Sequence, residues 1–332
     1  MSLDPRVKRF LGLLAASNSP SARDATVAER RAGLAELMKF SGPTVPIGRV
    51  EDTTVSGPAG LLPVRLYTPA GHATGAAQTT VPGQPIAAVR PPQPPPDRLP
   101  GLVYFHGGGM VAGSIDTHDA IARALANAAE CRVISVGYRL APEHRFPAAL
   151  DDAIAAVRHI RAHARDFGVG QQLGLAGDSA GATLVAAACQ FLAKQGDTPV
   201  SLQLLLCPIL DYSRTTPSRL EFGSGYLVDQ GTLEQDLLHY LPAGADPADP
   251  RVSPLRADTL QGQPRTFIHT AACDPLRDEG AQYAERLRAS GTPTSYVCHA
   301  GMIHLFYGLA GVIPYARTAL NAIGAELRAA LS

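Results

Sequence analysis

One pentapeptide constrains the fold of this chain more than any other segment: Gly177-Asp178-Ser179-Ala180-Gly181. An apolar run that reads as a short strand, 172–176, comes before it, and a run of small residues typical of a tightly packed helix, 182–188, follows it. In a G-x-S-x-G turn the serine adopts a strained backbone conformation, and the flanking glycines let strand and helix pass close together. The turn predicts a serine held at the end of a sheet, beside helix N–H groups that can stabilise an oxyanion.

A run of three glycines points to the same chemistry. His106 precedes Gly107, Gly108 and Gly109, directly after the strand-like run 102–105. Consecutive glycines cost stability through backbone entropy, so a chain that keeps them usually needs bare N–H groups or a close backbone approach. An HGGG loop after an early strand is typical of the oxyanion hole of lipases and esterases, and a flexible turn is the alternative interpretation. We expect Gly107 to shape the loop and His106 to hold it through side-chain hydrogen bonds.

Predicted strands and helices alternate along most of the chain. Strands are expected near 102–105, 132–136, 172–176, 202–207, 265–271 and 294–298, and helices near 117–129, 148–165, 180–195, 232–241, 278–290 and 312–331. Before them, 4–16 and 24–40 read as helices and 64–68 as an antiparallel strand. The alternation predicts an α/β fold with a mostly parallel central sheet flanked by helices.

These motifs give the chain a family resemblance. It resembles the hormone-sensitive-lipase-like carboxylesterases (bacterial family IV, GDSAG type) of the α/β-hydrolase superfamily. The resemblance is carried by HGGG at 106–109, YRLAPE at 138–143, FPAA at 146–149, GDSAG at 177–181, DPLRDE at 274–279 and GMIH at 301–304. It implies the α/β-hydrolase fold with a helical cap.

The cap is expected in two parts. The resemblance places N-terminal cap helices over 1–45 and the catalytic domain over 46–332. A polar, turn-rich segment at about 211–256, with one clear helix at 233–241, lies where such a fold inserts a cap. Both parts are expected to shape the substrate entrance.

Chain order selects the catalytic histidine. In this fold the nucleophile comes first, then the acid, then the histidine, and only His299 and His304 follow both Ser179 and a plausible acid. His299 ends a predicted strand. His304 follows a glycine-containing loop, precedes the last helix and matches the family position, so it is the predicted base.

The acid is expected after the strand at 265–271. Asp274 directly follows that strand and precedes Pro275, which cannot continue a strand ladder. Asp278 and Glu279 look like acids of a first helical turn, where they are favourable for dipole reasons alone. Asp274 is therefore the predicted acid, in agreement with the resemblance.

The expected reaction is acyl transfer through Ser179. His304 takes the hydroxyl proton, and the oxyanion accepts hydrogen bonds from the N–H groups of Ala180, Gly108 and Gly109. Asp178 is expected to serve in structural hydrogen bonding rather than in the reaction. No metal or organic cofactor is required.

Three positions and one insertion depart from the family pattern. Ala182 and Leu305 replace common glycines, which predicts small changes of packing beside the site, and Met110 replaces a common aromatic, which predicts an altered pocket wall. A Pro-rich insertion at 70–100, with a polyproline tract at 91–96, predicts an exposed loop or semi-rigid arm. A tolerated surface insertion is favoured over an arm that recruits a Pro-binding partner.

Charge and cysteine usage exclude other classes of function. The 29 basic and 29 acidic residues form no long runs, which argues against a nucleic-acid partner. The five cysteines are widely spaced, which favours buried free thiols over a disulfide framework, and no Cys/His spacing suggests zinc.

Location and assembly are less constrained by the sequence. No stretch reaches the apolar length of a membrane span. Basic residues before the apolar run 10–16 mimic a secretory signal, but the same residues fit an amphipathic helix better, so a cytoplasmic location is expected. The last strand, 294–298, is predicted to leave a sheet edge free to pair in a homodimer.

The resemblance implies a carboxylic-ester hydrolase that acts on small-molecule esters with short to medium acyl chains. An amidase, lactonase or deacetylase is the main alternative, because these enzymes share the triad and differ in leaving group and pocket shape. A non-catalytic small-molecule-binding protein of this fold is less favoured, since Ser179, Asp274 and His304 are all present.

Overall fold

The computed structural model describes four stretches of the chain, residues 2–16, 25–72, 98–197 and 200–332. The Pro-rich insertion predicted at 70–100 falls almost wholly outside these residues, together with its polyproline tract.

An eight-stranded sheet organises the molecule. Its strands are β1 (Arg49–Gly57), β2 (Gly60–Thr68), β3 (Leu99–Phe105), β4 (Arg132–Val136), β5 (Val169–Asp178), β6 (Leu202–Leu206), β7 (Arg265–Cys273) and β8 (Thr294–Ile303). They lie in the order β1-β2-β4-β3-β5-β6-β7-β8. β2 is antiparallel to both of its neighbours, and every pair from β4 to β8 is parallel. The predicted mostly parallel sheet is confirmed.

Helices cover both faces of this sheet. They are α1 (Pro5–Ala15), α2 (Val27–Met38), α3 (Asp119–Ala129), α4 (Ala148–Ala162), α5 (Ala180–Gln195), α6 (Pro217–Phe222), α7 (Gln230–Tyr240), α8 (Arg277–Ala289) and α9 (Tyr315–Leu331). One apolar core joins the sheet to α4, α5 and α8, and a second joins its other face to α3 and α9. Along β3, Val103 and Phe105 belong to the first core and Leu102 and Tyr104 to the second. The central strands are apolar throughout because both of their faces are buried.

Two elements differ from the expectation. β1 was not predicted, because its sequence is mostly polar and charged and lacks a regular alternation of apolar residues, and it lies at the edge of the sheet. The segment 211–256 was expected to hold one clear helix, but it contains both α6 and α7.

The first helices pack onto the body of the molecule. The side chain of Asp4 caps α1 by accepting the N–H of Arg6 at 2.8 Å, and its own N–H donates to the carbonyl of Gly301 on β8 at 3.1 Å. Val7 and Phe10 of α1 are buried. Among the described helices, none is long and apolar enough to cross a membrane.

α2 has its own start signal and anchor. Thr26 and Glu29 form a reciprocal capping box at its N-terminus. Arg31 ties the helix to the body, since its guanidinium donates to the carbonyls of Val111 at 2.9 Å and Ala141 at 3.1 Å.

Parallel strands bring their carboxyl ends to one edge of the sheet. His106 follows β3, Ser179 follows β5, Asp274 follows β7 and His304 follows β8. This edge is where loops carry function in open α/β sheets.

Candidate active site

The turn between β5 and α5 holds Ser179 in a constrained conformation. Ser179 has a φ of +52°, a left-handed conformation that is costly for a residue other than glycine. Its N–H donates to the carbonyl of Leu206 at 2.8 Å, which fixes the turn to β6. A Cβ on Gly181 would lie 2.0 Å from the carbonyl oxygen of Phe105, and one on Gly177 would lie 2.5 Å from the backbone of Gly181. Both glycines are therefore required by close backbone approach.

The structure brings the three predicted side chains together. Nε2 of His304 lies 3.0 Å from Oγ of Ser179, and its Nδ1 lies 2.9 Å from Oδ2 of Asp274. The other oxygen of Asp274 accepts the N–H of Leu276 at 2.8 Å, which orients the carboxylate. All three side chains are buried. Hydrogen bonds link the carboxylate of Asp274 to the imidazole of His304 and the imidazole to the hydroxyl of Ser179. This arrangement can transfer a proton from the hydroxyl to the imidazole.

The surroundings of His304 favour this transfer. Burial disfavours the charged imidazole, but the negative charge of Asp274 and the hydrogen bond with it outweigh burial, so the pKa of His304 is raised. The charge of Asp178 acts in the same direction. A raised pKa makes His304 a stronger base toward the serine hydroxyl.

His299, the alternative base, belongs to a different cluster. Its ring nitrogens lie 3.2 Å from Nδ1 of His269 and 3.1 Å from the hydroxyl of Tyr315. Burial, together with the nearby His269, lowers the pKa of His299 to about 4. It packs as a core residue away from the serine.

The glycine loop presents its backbone to Ser179. Gly108 and Gly109 have φ angles of +122° and +66°, and both line the cavity that contains Ser179. The carbonyl of Gly108 accepts the N–H of Ala112 at 2.8 Å, which closes the loop. Among the described residues, no group accepts a hydrogen bond from the N–H of Gly108, Gly109 or Ala180. These three N–H groups are therefore available to a ligand.

Asp178 and His106 hold this loop from behind. Oδ1 of Asp178 accepts the hydroxyl of Tyr104 at 2.5 Å and the N–H of Gly107 at 2.9 Å. The ring of His106 stacks on Tyr138 at a centroid distance of 4.4 Å, and its Nδ1 lies 2.8 Å from the carbonyl oxygen of Gly107. Burial, with the nearby His118, lowers the pKa of His106 to about 3, so the ring is neutral near pH 7. Both side chains make the structural contacts expected of them.

A cavity of about 510 Å³ opens above the serine. Its floor includes Ser179, His304 and the glycine loop. Both predicted cap segments contribute to its wall, the first through residues 25–37 in and before α2, the second through residues 227–236 in and before α7. A cavity of this size suits a small organic ligand.

Three residues of this wall were missed by sequence reasoning: Arg30, His118 and Asp236. Nε2 of His118 lies 3.4 Å from Oδ2 of Asp178. Arg30 on α2 and Asp236 on α7 form an ion pair between the two predicted cap segments, with a shortest distance of 2.9 Å. No local pattern could have found this pair, because its members lie 206 residues apart in the chain.

The three departures from the family pattern have different outcomes. Met110 is fully buried in the apolar core, and the cavity wall formed by the described residues does not include it, so the expected altered pocket wall is wrong. Leu305, with a φ of +58°, does line the cavity. Ala182 is buried inside α5.

One set of possible metal ligands lies within the described residues. Cys207, Asp274 and His304 each offer a ligand atom, and these atoms lie within 4.8 Å of one another. Asp274 and His304 already hydrogen-bond to each other, so a metal there would have to replace that bond.

The chain is similar to known ester hydrolases. Residues 102–308 match a family described by the alpha/beta hydrolase fold. The chain is 38% identical over 317 residues to carboxylic ester hydrolase LipN of Mycobacterium tuberculosis, a match that covers 93% of this chain and 77% of the relative. It is 40% identical over 233 residues to an ethyl acetate hydrolase of Pseudomonas putida, covering 69% of this chain and 73% of the relative. Among solved structures, an ester hydrolase from the metagenome of Lake Arreo superposes with a TM-score of 0.89 at 37% identity, covering 98% of both chains.

Proposed function

From the premise that this chain belongs to the α/β-hydrolase family, and within it to the hormone-sensitive-lipase-like carboxylesterases, we propose that it cleaves short to medium acyl esters at Ser179. The chain is a carboxylic ester hydrolase, and its substrate is a small-molecule ester. His304 is the proposed base and Asp274 the proposed acid. The observation that carries this assignment is the hydrogen-bonded line from Asp274 through His304 to Ser179, with distances of 2.9 and 3.0 Å.

Acylation follows from these contacts. Nε2 of His304 takes the proton of Ser179 as Oγ attacks the ester carbonyl, and Asp274 stabilises the imidazolium that forms. The carbonyl oxygen becomes an oxyanion and accepts hydrogen bonds from the free N–H groups of Gly108, Gly109 and Ala180. Each such donor typically lowers the barrier by about 3 kcal/mol. His304 then returns the proton to the departing alkoxide, which leaves as the alcohol.

Deacylation repeats the sequence with water. His304 takes a proton from the water molecule as its oxygen attacks the acyl-enzyme carbonyl, and the same N–H groups receive the second oxyanion. The proton then returns to Oγ of Ser179 as the carboxylic acid leaves. The free serine is restored.

Two observations support short to medium acyl chains. The cavity above Ser179 measures about 510 Å³, near the lower part of the range for small-molecule pockets. A relative that is 40% identical is named for hydrolysis of ethyl acetate. We therefore propose a preference for acyl groups shorter than those of long-chain lipids.

The position of β8 supports a further proposal, a homodimer. β8 ends the sheet, and its residues 294–298 are half-buried, with β7 on one side. An unpaired strand edge can pair with the same edge of a second copy.

The test is a set of initial rates on p-nitrophenyl esters from acetate to palmitate, for the wild type and Ser179→Ala. We expect turnover to peak at short or medium chains and to fall by about 10⁴-fold or more in the variant. Ser56→Ala is the matched control, since Ser56 is exposed on β1. Near-normal rates in Ser179→Ala would end the assignment of the nucleophile, and a peak at palmitate would end the proposed chain-length preference.

A further inference from the structure

Asp236, on the cap helix α7, presses its carboxylate against the glycine loop. The side chain is buried, and a Cβ on Gly109 would lie 1.8 Å from its Oδ2. Only a glycine at 109 therefore leaves room for the carboxylate. Gly109, Asp236 and Ser179 all line the same cavity.

A carboxylate in this position opposes the proposed reaction. The oxyanion is negative, and two like charges close together in a site that excludes water repel strongly. Burial raises the pKa of Asp236 above its ordinary value, against the opposing effect of Arg30. The site therefore needs a group that cancels the charge of Asp236.

Arg30, on α2, is placed to cancel it. Its Nε lies 3.2 Å from Oδ1 of Asp236 and its Nη2 lies 2.9 Å from Oδ2, so the pairing is bidentate. Arg30 also lines the cavity. The neighbouring Arg31 makes different contacts, with the carbonyls of Val111 and Ala141. One arginine thus anchors α2 to the body, and the other meets the buried acid above the loop.

We propose that Arg30 is a positioning residue for ester hydrolysis: it neutralises Asp236 beside Gly109, so that the glycine loop can receive the negative charge of the transition state. The inference rests on the proposed function, because it requires an oxyanion at the N–H groups of Gly108 and Gly109. Arg30 acts through Asp236 and needs no contact with the substrate.

The experiment removes each charge alone and both together. Rates with p-nitrophenyl butyrate give kcat and KM for Arg30→Gln, Asp236→Asn and the double variant. We expect Arg30→Gln to lower kcat about tenfold or more, with a much smaller change in KM, because an uncompensated charge then faces the oxyanion. Asp236→Asn should lose far less kcat than Arg30→Gln, and the double variant should recover most of the loss of Arg30→Gln. Arg30→Lys keeps the charge but loses the bidentate hydrogen bonds, so it should lose less kcat than Arg30→Gln.

Arg31→Gln is the matched control. It loosens the same helix from the body but leaves the charges on the cavity wall unchanged. We expect a lower melting temperature, and adding Asp236→Asn to it should change kcat no more than Asp236→Asn changes kcat in the wild type.

Two results would overturn the inference. If Asp236→Asn loses as much kcat as Arg30→Gln, or if the double variant stays as slow as Arg30→Gln, the pair acts only as a mechanical link between the cap segments. Circular dichroism and active-site titration with an organophosphate establish folding and site count for each variant. If Arg30→Gln does not fold, the test is the double variant against Asp236→Asn. With no charge at 236, the inference requires the two to have the same kcat, and a slower double variant would overturn it.

The Ser179→Ala variant separates this inference from the proposed function. If Ser179→Ala is inactive but kcat is the same in the wild type and in the Arg30 variants, only the proposed role of Arg30 is removed. If Ser179→Ala is active, Ser179 is not the nucleophile, whatever kcat values the Arg30 variants give.

Discussion

Burial disfavours the charged imidazole of His304, but the negative charge of Asp274 and its hydrogen bond outweigh burial, so the pKa of His304 is raised. In the proposed mechanism His304 must be neutral to accept the proton of Ser179, so we expect activity to fall as the pH falls through the pKa of its imidazole. That pKa is raised in this site, which places the acid limb of kcat/KM above the ordinary histidine value of about 6.5.

Replacing Asp274 tests this reasoning. Asp274→Asn removes the negative charge that stabilises the imidazolium, so the acid limb should move to lower pH while the rate falls by about 10⁴-fold. The pH dependence of kcat/KM, measured for both proteins on one ester, gives both quantities. An acid limb that stays in place in Asp274→Asn would contradict the assigned source of the raised pKa.

At the scale of single residues, a candidate site could be predicted from the sequence where the chemistry is local. Ser179 and its flanking glycines are neighbours in the chain, and the tight backbone approach around Gly181 leaves a readable motif. Asp274 and His304 could be selected because each follows a predicted strand and the chain order of the fold is known. The pairing of Arg30 with Asp236 could not be predicted, because it arises only when two distant helices meet above the site.

At the scale of elements, α2 owes its first turn to one cap. The hydroxyl of Thr26 accepts the N–H of Glu29 at 3.2 Å, and residues of the same helix line the cavity. Thr26→Ala should cost about 1 kcal/mol of local helix stability. We expect faster amide hydrogen exchange in the first turn of α2 and a raised KM, with little change in global melting temperature.

Asp4→Ala is the comparison variant for that experiment. Asp4 caps α1, which does not contribute to the cavity wall formed by the described residues. It should loosen α1 and leave KM unchanged. An equal rise of KM in both variants would mean that KM does not report on α2.

The predictability of each element followed its burial. The parallel strands and the helices that flank them were predicted because burial on two faces, or on one helical stripe, produces a strong apolar pattern. β1 lies at an edge of the sheet and needs few apolar residues, so its sequence carries no such pattern. α6 has only 6 residues, too few for a helical period to be visible.

At the scale of the whole molecule, the proposed homodimer can be tested by measuring the molecular mass in solution. A chain of 34.8 kDa that pairs through β8 should show twice that mass by light scattering. Val297→Lys places a charge on the free edge and should return the mass to that of one chain. Leu220→Lys changes an exposed leucine of α6, 79% accessible, and should leave the mass unchanged. A wild type that scatters as one chain at every concentration would remove the proposal.

Because Asp4 donates a hydrogen bond to Gly301, α1 cannot complete its packing until most of the chain has been synthesised. At roughly 5–20 residues per second, a ribosome needs about 15 to 60 s to make the chain between them. Val7 and Phe10 belong to an apolar cluster that includes Met302 and Ile303 of β8, so these partners are synthesised long after α1. During that interval the apolar side of α1 cannot pack against β8, and the nascent chain holds Ser179 without His304, its proposed base.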